Sequence, residues 1–249
     1  MTQRQRAANC PIDVFVASNM PYTYPYKLVK PEHVTQEIVN SAETVIMDSG
    51  IGDDTTNKDV LDLAEKYDTD FVVAKDYLHD QSKTTESIQQ FLSLWDEHEC
   101  RATPLIPLQP PHYEHYKKHL GHYHYLLGGM AFDYSTEQII EQIEKFVARA
   151  GTSPYVHLLG AGANSKLMDY LARNPDYIQS LDCSTPEQCA INNNIYDVSL
   201  RQEDYQIRTG EDSRQTRSGL AQHLAYTLCD SIRMRHETQE QQTFAQYAP

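Results

Sequence analysis

The chain has 249 residues, enough for one α/β barrel or two small domains, and sets 35 Asp+Glu against 21 Lys+Arg for a formal net charge of −14. That balance excludes indiscriminate binding to nucleic acid or anionic membrane, so a polyanionic partner must meet a local basic patch; it also suits a protein working at high salt. Five cysteines, at positions 10, 100, 183, 189 and 229, form no C-x-x-C pair, which excludes a disulfide framework and a Cys-rich zinc site.

The start, MTQRQRAANC, carries charge with no apolar stretch behind it, and no run approaches the roughly 18 apolar residues of a membrane span. A soluble cytoplasmic protein without membrane contact is expected, in the host cytoplasm if virus-encoded. Short β-rich apolar runs then alternate with amphipathic stretches, as in βα units around a parallel sheet. The expected strands are 12–18 (IDVFVAS), 44–49 (TVIMDS), 70–76 (DFVVAKD), 102–108 (ATPLIPL), 123–129 (YHYLLGG), 155–160 (YVHLLG) and 177–182 (YIQSLD), with an eighth near 194–200 (NIYDVSL). Helices are expected at 58–67, 85–98 and 164–174, and most clearly at 135–151, where Ser135 or Thr136 can cap, an Ile/Phe/Val stripe follows and Gly151 stops the helix. Seven or eight such units predict a single-domain (β/α)8 TIM-type barrel over residues 1–200. Within 201–249, the polar stretch 201–218 reads as a loop, 219–237 as a last helix packing on the barrel, and the Gln-rich tail after His236 as frayed.

In such a barrel the C-terminal strand ends face the active site. They carry Asp48, Asp76, Gln109, Gly128 and Gly129, Gly160 with Gly162, and Asp182. An Asp at a strand-to-helix junction is ordinarily a helix cap. Three at one mouth, beside glycines that let a backbone approach a flat ligand, point instead to a pocket for a planar heterocycle. Neither glycine pair matches a phosphate loop, and either would also serve a tight turn.

The pieces VIMDSGIG, DFVVAKD, PLQP, LLGGMA, HLLGAG and LDCSTP, in this order over residues 44–186, resemble the tRNA-guanine transglycosylase family, whose members exchange guanine for 7-deazaguanines. The resemblance implies that Asp182 is the nucleophile at ribose C1′ and Asp48 the general acid/base. It implies further that Asp76, Gln109 and Ser49 bind the base, with backbone groups of Gly128, Gly129 and Gly160. Base exchange with retention needs two displacements, hence one carboxylate that bonds to an oxocarbenium-like carbon and a second group for protons. No cofactor and no metal are implied.

The zinc-binding C-x-C-x-x-C with a downstream His of the tRNA-acting members is absent. Ile51, Gly52 and Leu159 replace the residues that sandwich the base, leaving Tyr77 or Phe132 to stack on it. A compact chain without the zinc subdomain is most similar to the DNA-guanine transglycosylases of phages, archaeal viruses and DNA-modification clusters. The implied partners are guanine sites in DNA and a free 7-deazaguanine such as preQ0, with tRNA second and room for a homodimer. Arg201, Arg208, Arg214 and Arg217, followed by Arg233 and Arg235, are the candidate phosphate contacts, although acids are interspersed. Two rival readings are a metal-dependent barrel hydrolase using His112, His115, His119, His122 and His124, with His115 and His119 on one helix face, and a non-catalytic barrel paralogue.

Overall fold

The computed structural model describes residues 2–50, 54–121, 123–131, 133–204 and 214–247; the side chains at 214 and 243–247 lie outside that description. Eight strands, β1 (Asp13–Ala17), β2 (Tyr26–Val29), β3 (Thr44–Met47), β4 (Phe71–Val73), β5 (Thr103–Leu108), β6 (His124–Leu127), β7 (Val156–Leu158) and β8 (Ser180–Cys183), pair in chain order into a closed parallel barrel. Closure comes from β1 against β8, with Phe15 opposite Asp182. The strands are rich in Val, Ile, Leu and Phe because a parallel sheet covered by helices is buried on both faces. Phe15, Leu28, Ile46, Val73, Leu105 and Leu126, one from each of β1 to β6, form an inner layer that fills the barrel. On the same inward side, β7 and β8 present His157, Ser180 and Asp182 instead of hydrocarbon.

The outer layer comprises α1 (Gln3–Ala8), α2 (Gln36–Asn40), α3 (Asn57–Tyr67), α4 (Gln81–Glu97), α5 (His112–Tyr116), α6 (Thr136–Ala150), α7 (Ser165–Arg173), α8 (Thr185–Ile191) and α9 (Arg214–Tyr247). Helix α6 starts where its sequence predicts: Ser135 Oγ accepts from the Gln138 N–H, and the Gln138 side chain accepts from the Ser135 N–H at 2.7 Å.

The expectation of a barrel strand at 194–200 is overturned. β9 (Asn194–Tyr196) pairs antiparallel with β10 (Gln202–Asp204) in a small separate sheet. The missing barrel strand is β2, in the Pro-punctuated stretch PYTYPYKLVKP. No helix separates β1 from β2. Tyr22 and Tyr24 are buried in that connection, and α9 lies over it, with the Tyr226 ring 5.1 Å from that of Tyr24. The segment 201–218 is likewise no continuous loop, since it contains β10 and the start of α9; residues 205–213, Arg208 among them, lie outside the described residues. Nor does the helix fray after His236: it continues to Tyr247. Helix α9 buries Leu224, Ala225, Tyr226, Leu228, Cys229 and Ile232 in the same core as the strands and packs on α1, α7 and α8. Among the described residues no helix is long and apolar enough to cross a membrane.

Candidate active site

Of the strand-end residues singled out above, Asp48, Gly129, Gly160 and Asp182 line the C-terminal mouth, while Asp76, Gln109 and Gly128 stand against Gly129 and its neighbours and are not among the lining residues. A cavity of about 460 Å³ opens there, lined by Asp48, Asp182, Gly129, Gly160, Leu159 and Lys30 among others. None of the three carboxylates caps the helix after it: the caps of α3, α4 and α8 are Thr56, Asp80 and Ser184. Three buried acids left uncapping at one mouth have a cost that only a further role or internal hydrogen bonds can offset.

Asp182 sits within β8 and is 5% exposed. Its Oδ1 accepts from the Gly160 N–H at 2.8 Å and lies 3.2 Å from Nε2 of His157. Gly160 has φ +68°, so a residue free to adopt the left-handed region turns its amide onto the carboxylate. The Gly160 N–H therefore serves Asp182, while Gly160 itself lines the cavity.

Asp48 follows β3, and its Oδ1 accepts from the Ser49 N–H at 2.8 Å. Burial, and then the charges of Asp182 and Asp76, push its carboxyl up to about 7, against smaller opposing effects of Lys30 and the Ser49 N–H. An acid poised near neutrality can give and take a proton at little cost. Ser49 Oγ is buried without a protein partner.

Asp76 and Gln109 form a pair. Gln109 Nε2 donates to Asp76 Oδ2 at 2.6 Å, which leaves Gln109 Oε1 buried and unpartnered. Burial pushes Asp76 up to about 6, restrained by its backbone and Gln109 hydrogen bonds and by Lys75. Gln109 Oε1 and Ser49 Oγ are thus buried acceptors with no protein donor, the complement of a ligand edge rich in N–H groups.

Two of the histidines after β5 brace the backbone around this pair. The Gln109 N–H donates to Nδ1 of His115 at 2.9 Å, and Nε2 of His115 lies 3.1 Å from Thr85 Oγ1, whose own proton goes to the Gln81 carbonyl. Both ring nitrogens are thus occupied, and burial pushes His115 down to about 3, so it is a neutral ring. Helix α5 ends at Tyr116, but the turn after it keeps the His119 ring edge-on to that of His115 at 5.0 Å. His112 Nε2 donates to the Gly128 carbonyl at 2.9 Å, and the Gly128 N–H donates to Leu108. Both backbone groups of Gly128 are engaged within the protein, while Gly129 lines the cavity. His122 lies outside the described residues, and among those described no three His, Cys, Asp or Glu side chains group to hold a metal.

Among the described residues no Phe, Tyr or Trp lines the cavity: Leu28, Leu78, Leu159, Ala131 and Ile191 supply the apolar surface. Tyr77 is 39% exposed and is not a wall residue; Phe132, Ile51 and Gly52 lie outside the described residues. Arg201 lines a different cleft with Glu203 and His223, and Arg233 and Arg235 are engaged by Asp230 and Asp169. Arg217 lies on α9 and is partly buried. A further cleft of about 520 Å³, between α7 and α9, contains that Arg235–Asp169 pair and none of the strand-end acids. The basic groups at the mouth are Lys30 and His33, just after β2, which the sequence reading passed over together with the strand before them. It also passed over His157 and the buried Glu187, whose carboxylate accepts from Ser18 Oγ at 2.6 Å and the Asn19 N–H at 2.8 Å and so pins the β1–β2 connection beside the cavity. No family model matches the chain, and no curated protein matches it.

Proposed function

We propose that this protein is a base-exchange transglycosylase that replaces guanine in DNA with a free 7-deazaguanine through a glycosyl intermediate on Asp182. The observation that carries the reading is the division of labour among the buried carboxylates. Asp182 is fixed through one oxygen by two N–H groups, Asp48 is set near neutrality, and Asp76 is tied to a glutamine whose carbonyl oxygen has no partner. A carboxyl raised by burial towards neutrality suits Asp48 to proton transfer, and a carboxylate held by N–H donors suits Asp182 to attack.

In the first displacement Asp182 attacks C1′ of the target nucleotide, the C1′–N9 bond breaks, and its electron pair leaves with guanine. The protonated Asp48 supplies the proton that neutralises the departing base. In the second, the incoming 7-deazaguanine gives its N9 proton to the Asp48 carboxylate and attacks C1′, which restores Asp182 and the proton on Asp48. One glycosidic bond is traded for another, so the reaction requires neither an oxidant nor an energy source. Asp76, Gln109 and Ser49 would accept from the N–H groups of the purine edge, and a base without them would leave these buried acceptors unpaired. Guanine departs with N7 protonated, whereas a 7-deaza base has carbon there and is the poorer leaving group, which gives the exchange its direction.

A base within a duplex must be flipped into the cavity, at a cost of about a few kcal/mol. Lys30 and His33 at the mouth, with Arg201 further out, are cations that a negatively charged chain could offer to phosphates. The test incubates the protein with duplex DNA or tRNA and labelled guanine or preQ0, then traps the protein–nucleic acid adduct. Incorporation into DNA with an adduct abolished by Asp182→Asn is expected. An adduct that survives the substitution, or incorporation into tRNA alone, overturns the assignment.

A further inference from the structure

We propose that His157 is the positioning residue for Asp182, held at the end of a hydrogen-bond chain that runs up the barrel interior from Tyr155 through Ser180; the inference rests on Asp182 being the nucleophile of the proposed exchange. Tyr155 Oη donates to Ser180 Oγ at 2.8 Å, Ser180 Oγ lies 2.8 Å from His157 Nδ1, and His157 Nε2 lies 3.2 Å from Asp182 Oδ1. In this chain Ser180 receives the Tyr155 proton and gives its own to Nδ1, which leaves the ring proton on Nε2, facing the Asp182 carboxylate. His157 and Ser180 are register partners on β7 and β8, and the ring stands edge-on to Phe15 at 5.6 Å with no exposed surface. Sheet geometry and packing therefore fix the donor.

A core of this kind does not need the chain. Six strands fill the same interior with hydrocarbon, and a buried polar row is costly unless every member is satisfied. What the row does accomplish is selective: Gly160 N and His157 Nε2 both fall on Oδ1, and among the described residues Oδ2 accepts no hydrogen bond. The geometry thus presents Oδ2 as the attacking atom and stops the carboxylate from turning about its terminal torsion, which is otherwise broad.

The test compares base exchange by the intact protein, on DNA or on tRNA, for the wild type, His157→Phe and His157→Gln, and records the ¹⁵N spectrum of the histidine rings. Phe fills the space without a donor. Gln can accept from Ser180 and donate to Asp182. His157→Phe is expected to lower kcat about 100-fold, as a misplaced reacting group does, with KM for the free base changed by less than about threefold; His157→Gln should recover most of the loss. A kcat for His157→Phe within about twofold of wild type, or a loss expressed only in KM, overturns the proposal. The ¹⁵N spectrum needs no turnover and no stable variant. A neutral ring protonated on Nε2 supports the chain, and a proton on Nδ1 overturns it even where exchange proceeds. If the wild type exchanges no base in either nucleic acid, the reaction assigned to the site falls, while the spectrum still decides the His157 chain.

Discussion

At the scale of single residues, Asp48 shows what the site costs the fold. Burial and the neighbouring charges push its carboxyl up to about 7 in the folded protein, well above the ordinary carboxylate range, so the native state holds its proton more tightly than the unfolded chain. The stability this contributes is complete below about pH 4 and is lost as the pH rises to about 7, because the folded state must then bury a charge beside two others. Asp48→Asn removes that titration. It is predicted to raise Tm at pH 8 by several degrees, since the buried charge it removes costs on the order of a few kcal/mol, while base exchange is lost. Near pH 4 the two proteins should melt alike, and a lower Tm for Asp48→Asn at pH 8 would show that the charge is compensated. The same two acids predict a bell-shaped profile for kcat/KM on wild type. Activity rises through about pH 6 as Asp76 ionises to accept the base edge, and falls through about pH 7 as Asp48 loses the proton it must give. A profile flat from pH 5 to 9 would assign the proton transfers elsewhere. The carboxylates were legible in the sequence because each ends an apolar run. His157 was not: within YVHLL it is one polar residue on a buried strand, and only the pairing of β7 with β8 brings it to Asp182.

At the scale of elements, the turn after β6 shows how tightly the loops are fitted to the base-binding pair. Gly129 has φ +73°, and a Cβ there would press on the Gln109 side chain and come within 2.9 Å of Pro110 Cδ. Gly129→Ala is predicted to destabilise by about 1–3 kcal/mol and to raise KM for the free base by displacing Gln109 from Asp76. Gly151, at φ +78° with open space around its Cβ position, isolates the backbone cost. Gly151→Ala should lose stability in urea unfolding without changing KM, and equal KM effects for the two variants would remove the steric argument. Seven of the barrel strands could be read from Val-, Ile- and Leu-rich runs. β2 was hidden because prolines punctuate it on both sides and Lys27 interrupts it. That lysine is buried, donating to the Met20 carbonyl at 2.8 Å and to Ser41 Oγ at 2.7 Å, with its ammonium 4.3 Å from the Tyr22 ring centre. Burial brings it down to about 8, a price set by tertiary context that no local propensity records. The run at 194–200 misled for the opposite reason, since its alternating residues belong to a two-stranded ribbon outside the barrel.

At the scale of the molecule, the barrel is closed by hydrogen bonds between β1 and β8, but its outer wall at that seam is supplied from the far end of the chain. Helix α9 reaches α1, where Arg6 pairs with Asp230 at 2.6 Å, and covers the helix-free β1–β2 connection, where Cys229 Sγ lies 3.2 Å from Tyr24 Oη. Leu224, Leu228 and Ile232 are each fully buried. At about 1.5–3 kcal/mol per side chain, their burial alone is comparable with the 5–15 kcal/mol that holds a typical domain together. A chain ending after residue 218 is therefore predicted to lose its cooperative thermal transition and to expose the seam beside Asp182. One ending after Glu237 keeps every buried α9 residue named here and should melt within a few degrees of the full protein while retaining base exchange. Circular dichroism melting and the adduct assay on both truncations decide the matter. A cooperative transition in the shorter chain would show that β1 to β8 and their own crossovers suffice, and that α9 is an addition to the barrel instead of its closing wall.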